Sequence, residues 1–391
     1  DTLAPFALFE VVRAINQNPS AQLIYSDEDK LSEDGKTRSQ PHFKPHWSPD
    51  TLRSYNYICH LSVFSKKLLE QLGGFREGFE GSQDYDLILR AAEKAEQIVH
   101  IPKILYHWRI SSTSTAANPA SKMYAYTAAK KALKEHIKRL GLEGNVKDGK
   151  FISSYQVNFD ISVPPKISII IPNKDQVKTL KNCLNTILAK TRYQNYEILI
   201  IENNSQQEST FKYYQKISGH NNIRVITWNK PFNYSAINNF GVDHAQGDII
   251  LLLNNDMEII NPDWLERMLE HAVRKEVGAV GAKLYYPDNT IQHAGVILGI
   301  GGVAGHSHKH FRRGAYGYMS RLQVVQNLSA VTGACLMTRK EVFKEAGGFD
   351  TNLPVSFNDV DLCLKVREKG YLIVWSPYVE LYHHESKTRG Y

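Results

Sequence analysis

An internal repeat is the feature that most restricts the fold of this chain. A Gly-Gly-Phe motif, an acidic helix start and a Tyr-His motif occur in the same order in both halves of the sequence. The matched pairs are Gly74 and Gly348 (offset 274), Asp84 and Asp359 (offset 275), and His107 and His383 (offset 276). Chance similarity does not hold register through three motifs over such a length. The sequence therefore predicts two homologous modules.

The second module begins near residue 161, where short apolar runs start to alternate with helical patterns. Four runs have the length and β-branched composition of buried strands: 166–172, 196–202, 223–228 and 248–253. Helical patterns lie between them, notably at 178–190 and 233–245. This alternation predicts an α/β domain with a parallel sheet, in which ligands collect beyond the carboxyl ends of the strands.

Polar residues follow three of the four predicted strands. They are Pro172, Asn173, Lys174 and Asp175 after the first strand, Glu202, Asn203, Asn204 and Ser205 after the second, and Asn254, Asn255 and Asp256 after the fourth. Acids, amides and a hydroxyl at one sheet edge suit a nucleoside and a hard cation near its phosphates. The chain has no Walker lysine loop and no G-x-G-x-x-G, so neither a nucleotide triphosphatase nor a dinucleotide oxidoreductase is indicated.

Composition narrows the class of protein further. The 391 residues are 42% hydrophobic and 22% charged, as in soluble globular proteins, and no apolar run approaches the ~18 residues that span a bilayer. The four scattered cysteines form no C-x-x-C pair, which predicts reduced thiols in a cytoplasmic protein. The net charge of +7 suits a polyanionic small substrate or an anionic membrane surface and does not by itself indicate nucleic acid.

In their order and spacing, the motifs of residues 161–391 resemble those of an inverting nucleotide-sugar glycosyltransferase of family 2, which has the GT-A fold. The resemblance rests on SIIIPNKD, IIENNS, Asn239-Phe240-Gly241 followed by AQGD, LLLNNDMEI, TGACLMTRKEVFKEAGGFD, FNDVDLCLK and YHHES. It implies a Rossmann-like mixed sheet with helices on both faces. It also implies transfer of a sugar from a nucleotide-diphosphate donor to a glycan or polyprenyl-linked acceptor in bacterial surface polysaccharide synthesis.

The resemblance also implies a divalent cation, Mn²⁺ or Mg²⁺, held near the diphosphate. Asp256 matches the last acid of the family's D-x-D motif, and His383 matches a further ligand, with His384 as its competitor. Asn254 stands where the first aspartate is usual, so this strand supplies one charged ligand.

The donor pocket is implied in the same way. Glu202 occupies the place of the usual aspartate that contacts the nucleoside. The other expected nucleotide-sugar contacts are Pro172, Asn173, Asp175, Asn203, Asn204, Asn239, Asn254 and Asn255.

Two aspartates at the start of the helix in FNDVDLCLK have different expected roles. Asp359 matches the family's general base, which deprotonates the acceptor hydroxyl opposite the leaving diphosphate. Asp361 is better explained as the third residue of a helix that Asn358 caps. The same division is expected for Asp84 and Asp86 in the first module.

The first module is expected to be incomplete. DTLAPFALFEVV resembles the segment after a D-x-D motif, so that Asp1 would correspond to Asp256. The predicted domains are a truncated module at 1–120, a helical linker and connecting strand at 121–160, and a complete module at 161–391. Asp27, Glu28 and Asp29 imitate a D-x-D motif but fall one strand too late in the repeat, and they are expected in a polar loop near the acceptor.

Three further interpretations stay open. A helix at 121–141 is expected to pack against one or both modules, with a basic face towards a membrane surface as the alternative. The histidines of GHSHKH are expected in a mobile acceptor-side loop within the insertion 286–325, rather than in a zinc site. The rival functions are a silent glycan- or nucleotide-binding module and a sugar nucleotidyltransferase, although the latter needs a glycine-rich, basic loop after the first strand.

Overall fold

The computed structural model describes residues 1–110 and 123–385. The chain divides into two compact units, Asp1–Asp160 and Ile161–Tyr391. The predicted boundary between residues 120 and 121 lies outside the described residues.

The first unit combines a five-stranded sheet with helices and a hairpin. Its elements are β1 (Thr2–Leu3), α1 (Ala7–Gln17), β2 (Ala21–Leu31), β3 (Arg38–His42), α2 (Pro49–Ser54), β4 (Ser62–Phe64), α3 (Lys66–Leu72), α4 (Gln83–Lys94), β5 (Gln97–Arg109), α5 (Met123–Arg139), β6 (Gly144–Asp148) and β7 (Tyr155–Phe159). The sheet has the order β1-β5-β2-β3, with β4 paired to β2, and β6 and β7 form the hairpin.

The second unit is built on a ten-stranded mixed sheet. Its elements are β8 (Ile167–Asn173), α6 (Val177–Lys190), β9 (Tyr196–Glu202), α7 (Glu208–Ile217), β10 (Ile223–Thr227), α8 (Tyr234–His244), β11 (Ile249–Leu253), β12 (Met257–Ile259), α9 (Trp264–Ala272), β13 (Val277–Tyr285), β14 (Ile291–His293), β15 (Val296–Leu298), β16 (Ala304–His306), β17 (Gln326–Leu328), β18 (Cys335–Arg339), α10 (Lys340–Glu345), α11 (Asn358–Glu368) and β19 (Leu372–His383). The main strand order is β10-β9-β8-β11-β18-β13-β19-β12, in which β10, β9, β8 and β11 run parallel. The predicted α/β architecture is confirmed.

The parallel strands are apolar throughout because both faces of the sheet are buried. Alternate side chains enter different cores: Ile169 and Leu251 pack with α6, α7 and α9, whereas Ile170 and Leu252 pack with α8, α10 and α11. Each fully buried side chain of this size contributes about 1.5–3 kcal/mol relative to its exposed state. Packing on both faces therefore fixes the strand ends that carry the polar residues.

Gly241 allows α8 to lie close to the sheet. A Cβ atom at this position would come within 2.6 Å of Ile170 Cγ2 and 3.3 Å of Ile201 Cγ1. Any side chain larger than hydrogen would therefore push the helix away from β8 and β9. The glycine of the N-x-G motif thus has a packing role.

One strand arrangement occurs in both units. In the second unit, β12 runs antiparallel to β19 with Met257 opposite His383, and β13 runs parallel to β19. In the first unit, β1 runs antiparallel to β5 with Thr2 opposite His107, and β2 runs parallel to β5. His107 and His383, which the sequence repeat matches, therefore lie at corresponding strand positions.

The acidic triplet Asp27, Glu28 and Asp29 lies in a buried strand, so the predicted polar loop is wrong. All three residues belong to β2 and are at most 5% exposed. Histidines lie within hydrogen-bond distance of two of them: Asp27 Oδ1 lies 2.8 Å from His100 Nε2, and Asp29 Oδ1 lies 2.6 Å from His107 Nδ1. Partners from a distant strand thus permit a run of acids that would otherwise favour solvent.

Helix α5 packs on α4 and on the β6–β7 hairpin of the first unit. Its buried face includes Ala129, Ala132, Leu133 and Ile137. Among the described residues, none of the helices combines the length and hydropathy needed to cross a bilayer.

Candidate functional site

A cavity of about 870 Å³ opens in the second unit beyond the carboxyl ends of β8 and β11. Nine of the predicted site residues line it: Pro172, Asn173, Asp175, Asn203, Asn254, Asn255, Asp256, Asp359 and His383. Glu202, Asn204 and Asn239 do not line it, and Asp84 belongs to the first unit. The fold thus brings residues from opposite ends of the module to one concave surface.

Asn173 is the centre of an amide network at one end of the cavity. Its Nδ2 donates to the Tyr214 hydroxyl at 2.8 Å, and its Oδ1 accepts from Asn255 Nδ2 at 2.7 Å. The backbone N–H of Asn203 donates to the Asn173 carbonyl at 2.9 Å. These bonds hold the ends of β8, β9 and β11 together and orient their side chains.

Glu202 supports the loop after β9 from behind the cavity. It is buried and accepts hydrogen bonds from the Ser205 hydroxyl and the Tyr214 hydroxyl, both at 2.6 Å. Asp175 performs a similar task at the cavity edge, because its Oδ1 accepts from the backbone N–H groups of Gln206 and Gln207. Both carboxylates therefore fix the loop that leads into α7.

The remaining two predicted nucleotide contacts bind backbone. Asn239 on α8 exchanges two hydrogen bonds with the backbone of Phe349, at 2.9 and 3.0 Å. Asn204 has a left-handed backbone, with φ of 56°, and donates to the Lys230 carbonyl at 2.9 Å. Both side chains thus hold loops around the cavity.

Strand pairing brings Asp256 and His383 together. Because Met257 lies opposite His383 in the β12–β19 ladder, the preceding Asp256 reaches the same point, and Asp256 Oδ1 lies 3.2 Å from His383 Nε2. Oδ1 is buried and has no hydrogen-bond partner of acceptable geometry among the described residues. Burial alone would raise the pKa of Asp256, but His383 outweighs burial and lowers it. His384 instead approaches Glu258 Oε2 at 3.0 Å.

This pair fits a hard cation that substrate oxygens help to bind. Within residues 1–110 and 123–385, no group of three or more His, Cys, Asp or Glu side chains is arranged to hold a metal ion. Mg²⁺ commonly takes only one or two carboxylates and completes its shell with phosphate oxygens and water. Asn254 adds an amide whose Nδ2 lies 3.4 Å from His383 Nε2. The buried, unsatisfied Oδ1 of Asp256 is what a cation would bind.

Asp359 is oriented by two backbone groups. Its Oδ2 accepts from the Gly333 N–H at 2.8 Å, and its Oδ1 accepts from the Val360 N–H at 2.9 Å. Bonds from N–H groups to a carboxylate are strong and directional. They hold Asp359 at the cavity wall.

The predicted capping box at this helix is wrong. Helix α11 begins at Asn358 itself, after Phe357, whose backbone has a left-handed φ of 62°. Asn358 Oδ1 accepts from the N–H of Asp359, and Asp361 pairs with Lys365 one turn later at 2.9 Å. Phe357 therefore occupies the cap position, and Asn358 is the first residue of the helix. Asp361 still has a local partner rather than a place in the cavity.

Sequence reasoning missed several residues that line the cavity. They are His306, Gln292, Glu385, Gly333 and the exposed aromatic Phe232. His306 ends strand β16, which pairs with β15, so the predicted mobile loop is wrong at this residue. The spacing of the histidines in GHSHKH was the available signal in the sequence. Which of these histidines lines the cavity depends on the β15–β16 hairpin.

Comparison with known proteins gives a consistent result. Residues 168–347 match the family model Glycosyl transferase family 2. The chain is 47% identical over 396 residues to the uncharacterized protein y4gI of Sinorhizobium fredii, and 42% identical over 390 residues to the O-antigen biosynthesis protein RfbC of Myxococcus xanthus. All of this chain is matched in both cases, but it spans only 44% and 30% of those proteins.

A solved structure provides a further comparison. A mannosyltransferase from Pyrobaculum calidifontis, in complex with GDP-Man and Mn²⁺, overlaps 68% of this chain and 68% of its own, with 15% identity and a TM-score of 0.46. The mixed sheet with helices on both faces, together with the match to the family model, gives the second unit the GT-A fold. Residues 168–347 of the second unit therefore match a domain of glycosyltransferase family 2.

Proposed function

We propose that the second unit transfers a sugar from a nucleotide-diphosphate sugar to an acceptor hydroxyl with inversion of the anomeric centre. One observation carries this proposal: Asp359, held by two backbone N–H groups, lines the same cavity as Asp256, His383 and Asn173. Inversion needs one carboxylate to accept the proton of the attacking hydroxyl. Asp359 takes that proton while the diphosphate leaves on the other side of the sugar.

Asp256 and His383 are the residues that would hold a divalent cation, Mn²⁺ or Mg²⁺. The unsatisfied, buried Oδ1 of Asp256 and its 3.2 Å separation from His383 Nε2 support this proposal. When bound, such a cation neutralises charge on the leaving diphosphate. The amides of Asn173, Asn203 and Asn255, which line the cavity, would orient the nucleoside part of the donor.

The acceptor is proposed to be a glycan or a lipid-linked glycan of a cell-surface polysaccharide. The name of the Myxococcus xanthus relative, an O-antigen biosynthesis protein, supports this class of product. A lipid-linked acceptor would require the protein to work at the inner face of the plasma membrane, as a peripheral protein.

The first unit is proposed to be the acceptor half of a second, homologous module. The shared arrangement of β1-β5-β2 and β12-β19-β13, with His107 and His383 at matching positions, supports a tandem repeat. Asp84 would be its base. In the described structure, Asp84 Oδ2 accepts a hydrogen bond from Asn56 Nδ2 at 3.3 Å.

The test is a donor screen on the full chain. UDP-, GDP- and dTDP-sugars are incubated with the protein in Mn²⁺, in Mg²⁺ or in EDTA, and release of the nucleoside diphosphate is measured. The expected result is hydrolysis of one donor class that stops in EDTA. Binding of nucleotide sugars without hydrolysis, and with no transfer to any glycan, would instead support a silent binding module. The replacement of the usual aspartate by Asn254 is the observation that favours this second candidate.

A further inference from the structure

Two histidines connect a buried strand to the wall of the cavity. His293 ends β14 and is fully buried, whereas His306 ends β16 and lines the cavity. Their Nδ1 atoms lie 2.6 Å apart. At this distance one nitrogen must carry a proton and the other a lone pair.

The other ring nitrogen of His293, Nε2, determines which of the two histidines donates the hydrogen bond. The backbone N–H of Thr332 points at His293 Nε2, at 3.4 Å, and a backbone N–H can only donate. His293 Nε2 therefore carries a lone pair. Burial, followed by the neighbouring His306, places the pKa of His293 well below its usual value, so the ring is neutral. Its single proton is on Nδ1, and it donates to His306 Nδ1.

The tautomer of His306 follows from this bond. Because His306 Nδ1 accepts a hydrogen bond, its own proton is on Nε2. A second proton on Nδ1 would bring two donors face to face at 2.6 Å. His306 is thus a neutral ring with a fixed Nε2–H donor, which cannot take a proton from an attacking hydroxyl. The base remains Asp359.

Gln292 supplies the complementary group on the same wall. Its Nε2 donates to Glu385 Oε2 at 3.0 Å. Its side chain lines the cavity, the residue is only 4% exposed, and Oε1 has no hydrogen-bond partner within the described parts of the chain. The wall therefore offers one committed donor and one unused acceptor. A sugar hydroxyl is the group that both accepts and donates.

We propose that His306 and Gln292 form a sugar-hydroxyl subsite, in which His306 Nε2–H donates to a sugar hydroxyl and Gln292 Oε1 accepts from one. His293 is a positioning residue that sets the tautomer of His306. The proposal rests on the proposed function for the identity of the ligand as a sugar. The hydroxyl belongs either to the transferred sugar or to the acceptor glycan, and the experiment separates these sources.

The first measurement needs no activity. Long-range ¹H–¹⁵N NMR of the full chain labelled with ¹⁵N-histidine distinguishes protonated from unprotonated ring nitrogens, and the H293N and H306N variants assign the signals. The expected result is a proton on Nδ1 of His293 and on Nε2 of His306. A His306 ring with its proton on Nδ1 would overturn the proposal.

The second measurement compares two substitutions of His306. The amide nitrogen of Gln reaches the position of Nε2, whereas that of Asn does not, so H306N removes the donor and H306Q restores it. Loss of one neutral hydrogen bond corresponds to a decrease of about 2- to 13-fold in affinity or rate. H310N is the matched control, since His310 lies in the same segment and stacks on Tyr286.

Calorimetry and transfer assays identify the source of the hydroxyl. If H306N weakens binding of the nucleotide sugar but not of the nucleoside diphosphate, the subsite holds the transferred sugar. If donor binding is unchanged but transfer to p-nitrophenyl glycosides falls, it holds the acceptor. An H306N protein equal to wild type in both assays would overturn the subsite. If wild type binds no nucleotide sugar, the proposed function fails, and glycoside binding with the same H306N loss and H306Q recovery decides the subsite.

Discussion

Replacement of Asp359 by Asn is the sharpest test of the proposed chemistry. The wild-type carboxylate accepts one backbone N–H on each oxygen, at 2.8 and 2.9 Å. Asn keeps one accepting oxygen, so the other backbone N–H faces an amide NH₂. Leaving that donor unsatisfied costs about 1–3 kcal/mol of stability. Loss of the base lowers the transfer rate by about 10²–10⁴-fold, which corresponds to about 2.7–5.5 kcal/mol in the activation barrier.

The assay is the initial rate of nucleoside diphosphate release with acceptor present, together with donor affinity by calorimetry. Donor affinity is expected to stay unchanged, because the base acts only on the acceptor. The matched control is D361N, two residues along the same helix, where loss of a half-exposed pair with Lys365 costs at most about 1 kcal/mol. D361N should retain the wild-type rate. A folded D359N protein with more than about one tenth of that rate would show that another group takes the proton.

Four further predictions concern the metal pair, the packing, the first unit and pH. D256N should weaken Mn²⁺-dependent binding of nucleoside diphosphate by at least about 10-fold in calorimetry, and leave binding in EDTA unchanged. G241A should destabilise the second unit by about 1–3 kcal/mol in urea unfolding, because its Cβ would meet Ile170 Cγ2 at 2.6 Å. D86A should cost the first unit about 3–5 kcal/mol, since Asp86 is fully buried between Arg76 and Arg90 and its loss leaves the buried Arg90 without its carboxylate partner, whereas Arg76 keeps Glu135. His293 has a lowered pKa in the folded protein, so its contribution to the free energy of unfolding is complete above about pH 6.5 and falls by up to about 1.4 kcal/mol per pH unit below it. H293N should remove this pH-dependent contribution from urea unfolding curves measured at several pH values.

The core of the second unit could be predicted because its signals are local. Residues 248–253 are apolar at consecutive positions, and a run of that length between polar segments is a strand with two buried faces. The observed β11, Ile249–Leu253, begins one residue later. Strand and helix patterns of this kind depend on neighbouring residues and not on distant contacts, so they can be recognised from the sequence alone.

The predictions from sequence were wrong where the environment of a residue depends on its tertiary contacts or on an unusual backbone conformation. A run of acids at 27–29 predicts a loop, but contacts with residues distant in sequence, among them His100 and His107 more than seventy residues away, accompany its burial in a strand. The role of His306 was missed for the same reason, since it depends on a hydrogen bond to a histidine of another strand. The helix at Asn358 starts differently because Phe357 adopts a left-handed conformation, which an aromatic residue rarely takes.

The second aspartate of the repeated motif shows how one sequence pattern can acquire different physical roles. Asp361 sits at the protein surface with one lysine partner, whereas its counterpart Asp86 is fully buried between two arginines. The difference comes from neighbours, because Arg76 follows the Gly-Gly-Phe motif in the first unit and Asp350 follows it in the second. The partner one helical turn later is kept, because Lys365 corresponds to Arg90 in the repeat, so the second unit lacks only the counterpart of Arg76. We place the base at the first aspartate of the motif, which is Asp84 in the first unit and Asp359 in the second.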